Sequence, residues 1–223
     1  MSIKLFLQAI IKFAMGVLIT GVLLFVPAGS FGYWNGLLFM GILFIPMFIV
    51  GIILMFKNPE LLKKRLNNKE KESEQKVVII LSAIMFLTGF IIAGLNYRYN
   101  WIELPRIVVY IATGLFFISY ILYAEVLREN EYLSRTIEVQ ENQKVIDTGL
   151  YGVVRHPMYA TTIILFLSMP LILGSLISFV IFLAYPIIIA KRIKNEEIVL
   201  ENGLEGYKEY KEKVKYKVIP FIW

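Results

Sequence analysis

Apolar residues along this chain fall in long, nearly uninterrupted blocks rather than at the alternating or three-to-four spacing of half-buried strands and surface helices. Residues 5–26 are apolar apart from Lys12 and a few polar positions, 34–56 carry no charge, 77–97 form a third block, and 107–126 a fourth with Glu125 at its end. Each is long enough, at about 1.5 Å per residue, to cross a hydrocarbon core of about 30 Å. The pattern predicts four membrane-spanning helices. Lys12 interrupts the first block and Ala28-Gly29-Ser30 is a poor cleavage site, so that block is expected to be a retained anchor and not a signal peptide.

Residues 158–190 are harder to parse, because 33 consecutive positions lack charge. One straight helix would be about 50 Å long, whereas two helices would have only about 16 residues each. Pro170 and the Gly174-Ser175 pair lie near the middle, where a break is locally inexpensive. Charge then discriminates, since cytoplasmic flanks are enriched in Lys and Arg. With a hairpin here, the N-terminus and segments 57–76, 127–157 and 191–223 share one side and hold 21 of the 23 Lys and Arg residues. Only Arg98 and Arg106 lie opposite. A single crossing would instead place the eight cations of the tail outside. The expected fold is therefore an all-α, polytopic membrane bundle of six helices, the last two a tight hairpin, with both ends cytoplasmic.

Composition agrees and removes several function classes. With 58% hydrophobic residues, 18% charged residues and a mean hydropathy of +0.68, the chain has too much apolar side chain for a soluble interior of this size. There is no cysteine, hence no disulfide framework, thiolate nucleophile or cysteine metal site, and one histidine is too few for a histidine-rich metal centre. The net charge of +6 suits basic loops beside an anionic inner leaflet and does not call for nucleic acid. Segment 57–76 mixes Glu and Lys densely and reads as a solvated connector without a catalytic part.

Candidate chemistry lies in the C-terminal third. Gly149-Leu150-Tyr151-Gly152-Val153-Val154-Arg155-His156-Pro157-Met158-Tyr159 contains the sole histidine and runs directly into the apolar hairpin. Such a polar cluster at the edge of a low-dielectric phase needs partners for its donors, whether from a ligand or from lipid headgroups. The hairpin would bring it beside Lys191-Arg192-Ile193-Lys194-Asn195-Glu196-Glu197. On a helix Arg192 and Glu196 are four residues apart and share a face, where they can pair or point together into a pocket. A solvated helix end with a weak surface ion pair is the plainer alternative.

Gly-x-Tyr, Arg-His-Pro-x-Tyr, a hairpin, Glu-Glu, Tyr207-Lys208-Glu209-Tyr210 and Val218-Ile219-Pro220, taken together, resemble the isoprenylcysteine carboxyl methyltransferase family of integral membrane enzymes. The resemblance covers about Gln140 to Trp223, and the first 126 residues share only their apolar spans. It implies a division into four N-terminal transmembrane helices, 1–126, and a C-terminal catalytic region, 127–223. It further implies S-adenosylmethionine as methyl donor and a lipophilic acceptor arriving from the lipid bilayer. Carried over by position, Gln140, Val145, Ile146, Tyr151, His156, Pro157, Met158, Tyr159 and Glu196 would line the cofactor site, and Arg192 would face the acceptor. Two positions depart from the family pattern. Ala160-Thr161 stands where the family often has a small residue followed by Gly, and Lys194-Asn195 replaces a more acidic stretch before Glu-Glu.

These residue types suit that ligand. Tyr151, Tyr159 and the apolar pair offer surfaces for adenine, while Glu196 and His156 offer polar contacts for the ribose and methionine parts. A carboxylate acceptor, as in isoprenylcysteine-like carboxyl O-methylation, is already ionised and needs only a cation such as Arg192 to position it. An amine acceptor, such as an aminophospholipid, needs a base, for which His156 and Glu197 are nearest. Membrane sterol reductases using NADPH carry a similar Arg-x-Pro-x-Tyr element and are a second reading, although no glycine-rich dinucleotide fingerprint is present. A non-catalytic membrane protein keeping the fold is a third. The expected location is the plasma membrane if the source is prokaryotic, with the catalytic motifs on the cytoplasmic side.

Overall fold

In the computed structural model, residues 3–66, 73–134 and 137–223 are described. The four N-terminal apolar blocks become helices that overrun their sequence bounds by a few residues. They are α1 (Ile3–Ala28), α2 (Trp34–Lys57), α4 (Ser73–Tyr99) and α5 (Arg106–Glu129), with a short α3 (Pro59–Leu66) between the second and third. Asn58-Pro59 explains the boundary between α2 and α3. A residue before proline is disfavoured in a helix, proline is tolerated in a first turn, and the Asn58 side chain accepts a hydrogen bond from Leu61 N–H at 3.1 Å.

The C-terminal region contributes a single 3-10 turn (Gly149–Gly152), then α6 (Pro157–Ile172), α7 (Leu176–Phe182), α8 (Ala184–Gly203) and α9 (Tyr207–Lys213). The described residues contain no strand. Five helices are long and apolar enough to cross a membrane, counting α7 and α8 as one stretch, Leu176–Gly203, and α6 is a shorter apolar helix of 16 residues.

The hairpin forms, and it turns at Gly174-Ser175 rather than at Pro170. Pro170 stays inside α6, which continues to Ile172. Gly174 then adopts φ +74°, a left-handed conformation that costs side-chain-bearing residues energy. Ser175 N–H bonds Pro170 C=O at 2.9 Å and Gly174 N–H bonds Leu171 C=O at 3.1 Å, closing the helix end, and Ser175 Oγ caps α7 by accepting from Ser178 N–H at 3.2 Å.

Neighbouring helices hold the turn. Tyr33 OH donates to Leu173 C=O at 2.5 Å, Asn35 Nδ2 to Ile172 C=O at 2.7 Å, and Asn96 Nδ2 to Gly174 C=O at 3.3 Å. The α1–α2 and α4–α5 connections therefore sit at the same end as the turn. The returning arm ends where α6 begins.

That arm is longer than the sequence suggests. The sequence allows about 16 residues, but α8 carries the charged motif onward to Gly203 as one helix. Nothing in residues 187–202 breaks a helix, and the only discontinuity is at Leu183, where Pro186 lacks the N–H that would bond Phe182 C=O.

Helix α4 lies at the centre of the bundle, packed against α1, α6, α7 and α8. Small residues let it approach closely. A Cβ on Gly89 would lie 2.3 Å from the Phe182 ring, and one on Gly94 would lie 2.5 Å from Leu24 C=O. Phe86, Phe90, Phe166 and Phe182 interlock there, with Phe86 edge-on to Phe166 at 4.9 Å and to Phe182 at 5.3 Å. Outward positions such as Leu18, Ile121 and Ile187 stay exposed, as apolar side chains facing lipid do.

Helix α3 corrects the reading of segment 57–76 as a solvated connector. Leu61 and Leu62 are buried, and Arg65 reaches the Tyr123 hydroxyl of α5 and the Ser134 C=O. Eight residues are too few for the period to announce a buried face among so many charges. Residues 67–72 of that segment lie outside the described ones.

Candidate functional site

The site forms where the two arms of the hairpin leave the apolar layer, and local sequence sets each wall. The 3-10 turn before α6 exists because Gly149 takes φ +50° hard against Glu129. A Cβ there would overlap the Glu129 carboxylate, which accepts from Leu150 N–H at 3.1 Å. The turn buries Tyr151, whose hydroxyl accepts from Asn130 Nδ2 at 2.9 Å and whose C=O accepts from Tyr210 OH at 2.8 Å. Burial pushes the Tyr151 and Tyr210 phenols well above their ordinary pKa, so both are neutral at physiological pH.

The tail is stitched to the start of α6. Arg155 N–H bonds Tyr216 C=O at 2.9 Å and His156 N–H bonds Lys217 C=O at 2.8 Å, so residues 214–217 run beside 155–156. Arg155 is 5% exposed, and its charge would be very costly without a partner. It has several, with Nε and Nη2 each 2.8 Å from Glu197 Oε1 and Nη1 donating to Val214 C=O at 2.6 Å and Lys215 C=O at 2.9 Å. Glu197 also meets His156 Nε2 at 3.3 Å and Lys217 Nζ at 3.1 Å.

Glu197 is thus a buried tie between α8, the start of α6 and the tail. This removes it as the general base considered for an amine acceptor. Four cationic or donating groups already surround it, Lys211 at 4.0 Å being the fourth, and it does not border the pocket.

Its neighbour in sequence faces the other way. Tyr159 OH donates to Glu196 Oε2 at 2.5 Å and accepts from Arg192 Nε at 2.8 Å. Arg192 and Glu196 do share a face of α8, but a tyrosine from α6 joins them. Arg192 Nη1 also donates to Oε1 of Gln75, a fully buried side chain of α4, at 3.3 Å. His156 Nδ1 lies 3.9 Å from Glu196 Oε1.

These groups border a pocket that opens to solvent. Eight of the ten sequence-assigned site residues line it: Val145, Ile146, Tyr151, His156, Met158, Tyr159, Arg192 and Glu196. The other two do not. Pro157 is fully buried in the first turn of α6, and Gln140 turns its amide to Tyr132 C=O at 2.5 Å while its N–H bonds Gln143 Oε1 at 2.9 Å, bracing a loop. Thr161, at one of the departures from the family pattern, is buried with its hydroxyl on Met158 C=O at 2.8 Å.

Further lining residues include Asn130, Lys144, Leu200, Leu204 and Tyr207. Tyr207 belongs to the Tyr-x-x-Tyr element of the tail, to which the sequence attached no role. Its hydroxyl is buried without a hydrogen-bond partner. Leu200, Leu204 and Val145 pack together as apolar lining, and His156, Tyr159, Arg192 and Glu196 supply polar lining. No group of three His, Cys, Asp or Glu capable of holding a metal occurs among the described residues.

Residues 110–202 match the isoprenylcysteine carboxyl methyltransferase (ICMT) family. The match spans most of α5, the site loop, the hairpin and nearly all of α8. Comparison with curated proteins finds no match.

Proposed function

Taking residues 110–202 as the domain of a membrane methyltransferase family, we propose that this protein transfers a methyl group from S-adenosylmethionine to a carboxylate on a lipophilic, membrane-borne acceptor. The observation that carries this reading is the Arg192–Tyr159–Glu196 constellation, which borders a part-apolar, part-polar pocket at the foot of the hairpin.

The residues present fit the proposed donor. Val145, Ile146, Leu200 and Leu204 offer apolar lining for adenine, Glu196 accepts from hydroxyl or ammonium groups, and the partnerless Tyr207 hydroxyl supplies a donor. S-adenosylmethionine supplies an electrophilic methyl group, and the remaining work is alignment. Arg192, held through Nε by Tyr159 and through Nη1 by Gln75, fixes a cationic charge beside the pocket, the charge that attracts and positions a carboxylate. A carboxylate nucleophile needs no base, which suits a site whose Glu197 is already surrounded by donors. Burial of His156 and Tyr159 limits water access and strengthens the electrostatics of alignment.

The proposal includes a division of labour at about residue 126. The preceding helices solvate the protein in lipid and brace the site through Gln75 and Arg65, and the following region binds donor and acceptor. It also places both ends and the site on the cytoplasmic side, which the 21-to-2 cation asymmetry supports.

The test is equilibrium binding of S-adenosylmethionine and NADPH to the detergent-solubilised protein, followed by incubation of its membranes with methyl-labelled donor. S-adenosylmethionine binding and base-labile label in a lipid-extractable product are expected. NADPH binding in its place would overturn the reading, and base-stable amine label would move the acceptor to an N-methylated class.

A further inference from the structure

Tyr207 is 4% exposed and borders the pocket, and its hydroxyl is buried without a hydrogen-bond partner. Most buried hydroxyls in folded proteins are paired, because an unpaired one forfeits its hydration without return. Burial, reinforced by the nearby Glu197 and Glu196 carboxylates, pushes the phenol far above its ordinary pKa, so the group is a neutral O–H.

Tyr207 packs with Leu204, Tyr210 and Val214, and with Val145 and Leu200 beside them. The carboxylate of Glu196 lines the same pocket, near enough to act on the phenol electrostatically, with one oxygen on Tyr159 and the other 3.9 Å from the His156 ring. A ligand group placed between the two must accept from the phenol and donate to the carboxylate. An ammonium can only donate, a ligand carboxylate can only accept and would be repelled by Glu196 and Glu197, and a hydroxyl does both. The adjoining apolar wall suits a flat base attached to that hydroxyl-bearing ring.

We propose that Tyr207 and Glu196 together seat the ribose diol of an adenosine-bearing ligand, Tyr207 donating to one hydroxyl oxygen while the diol donates to Glu196. This rests on the methyltransferase reading for the identity of the ligand, and on the pocket geometry for the diol.

The test uses the full-length protein in detergent, with S-adenosylhomocysteine and its 2′-deoxy and 3′-deoxy forms as probes. Tyr207→Phe removes one oxygen and nothing else. With no partner to lose, the variant should keep or raise the ligand-free thermal midpoint. It should bind S-adenosylhomocysteine about tenfold more weakly, the size of one neutral hydrogen bond. It should also lose the wild-type discrimination against one of the two deoxy forms, since the same contact cannot be lost twice.

A lowered ligand-free midpoint would assign the hydroxyl a structural bond and overturn the proposal. So would unchanged affinity with both discriminations intact. If the wild type ignores S-adenosylhomocysteine but binds NADPH in a Tyr207-dependent manner, the diol seat survives and the methyltransferase reading fails. Binding of neither ligand would overturn both.

Discussion

At the scale of single residues, the two adjacent glutamates are predicted to behave oppositely. Glu196 borders the pocket beside His156, so Glu196→Ala and His156→Ala should each weaken S-adenosylmethionine binding by about 1 to 3 kcal/mol, as loss of a charge-assisted contact does. Calorimetric titration of the folded variants checks this. Glu197→Gln instead leaves Arg155 and Lys217 without their carboxylate, at a cost of about 3 to 5 kcal/mol of stability. A lower thermal midpoint and faster tryptic cleavage at Lys215 and Lys217 are expected, and unaltered tail protection would contradict the tie. Arg192→Lys should retain donor affinity and lose much of the turnover, because a point charge cannot reach Tyr159 and Gln75 and still present a fork. Arg192→Ala should lose more. Were both variants to bind the donor poorly but turn over normally when saturated, Arg192 would be a brace for Glu196 and not the acceptor contact.

At the scale of elements, the hairpin depends on its turn and on α4. Gly174→Val forces a branched side chain into the left-handed region and should destabilise the protein by at least about 1 to 2 kcal/mol, whereas Pro170→Ala should cost far less because the turn does not form there. Thermal unfolding of the pair in one detergent compares them directly. Helix α4 lies outside the matched family segment yet reaches the site through Gln75. Gln75→Leu is expected to lower turnover while leaving donor affinity unchanged, as loosening of Arg192 alone would do. An unchanged saturated rate would reduce Gln75 to a packing role.

At the scale of the whole molecule, the two ends of the bundle differ in charge and in what they hold. The α1–α2 connection, the α4–α5 connection and the hairpin turn gather at the end bearing Arg98 and Arg106, and the site loop, α3 and the tail gather at the other. The absence of native cysteine makes labelling unambiguous. A cysteine at Glu205, which is exposed, should react with an impermeant reagent only from the cytoplasmic side, and one at exposed Ser30 only from the opposite side. Reaction of both from one side would refute the proposed orientation.

The sequence by itself determined the membrane-spanning character of the bundle, the hairpin and much of the pocket lining. Twenty-residue apolar blocks have no soluble solution, charge asymmetry distinguishes one crossing from two, and the spacing of His156, Tyr159, Arg192 and Glu196 survives any helical folding of the two arms. Tertiary structure decided what depends on approach between segments far apart in the chain. That Glu197 is a buried tie while Glu196 borders the pocket follows from where Arg155 and the tail come to rest, and adjacent glutamates carry no mark of it. That Gln140 braces a loop follows from a turn whose partners are backbone groups. The contribution of Gln75, 117 positions from Arg192, became visible only when α4 packed against α8, because one buried amide in an apolar block has no pattern to betray its partner.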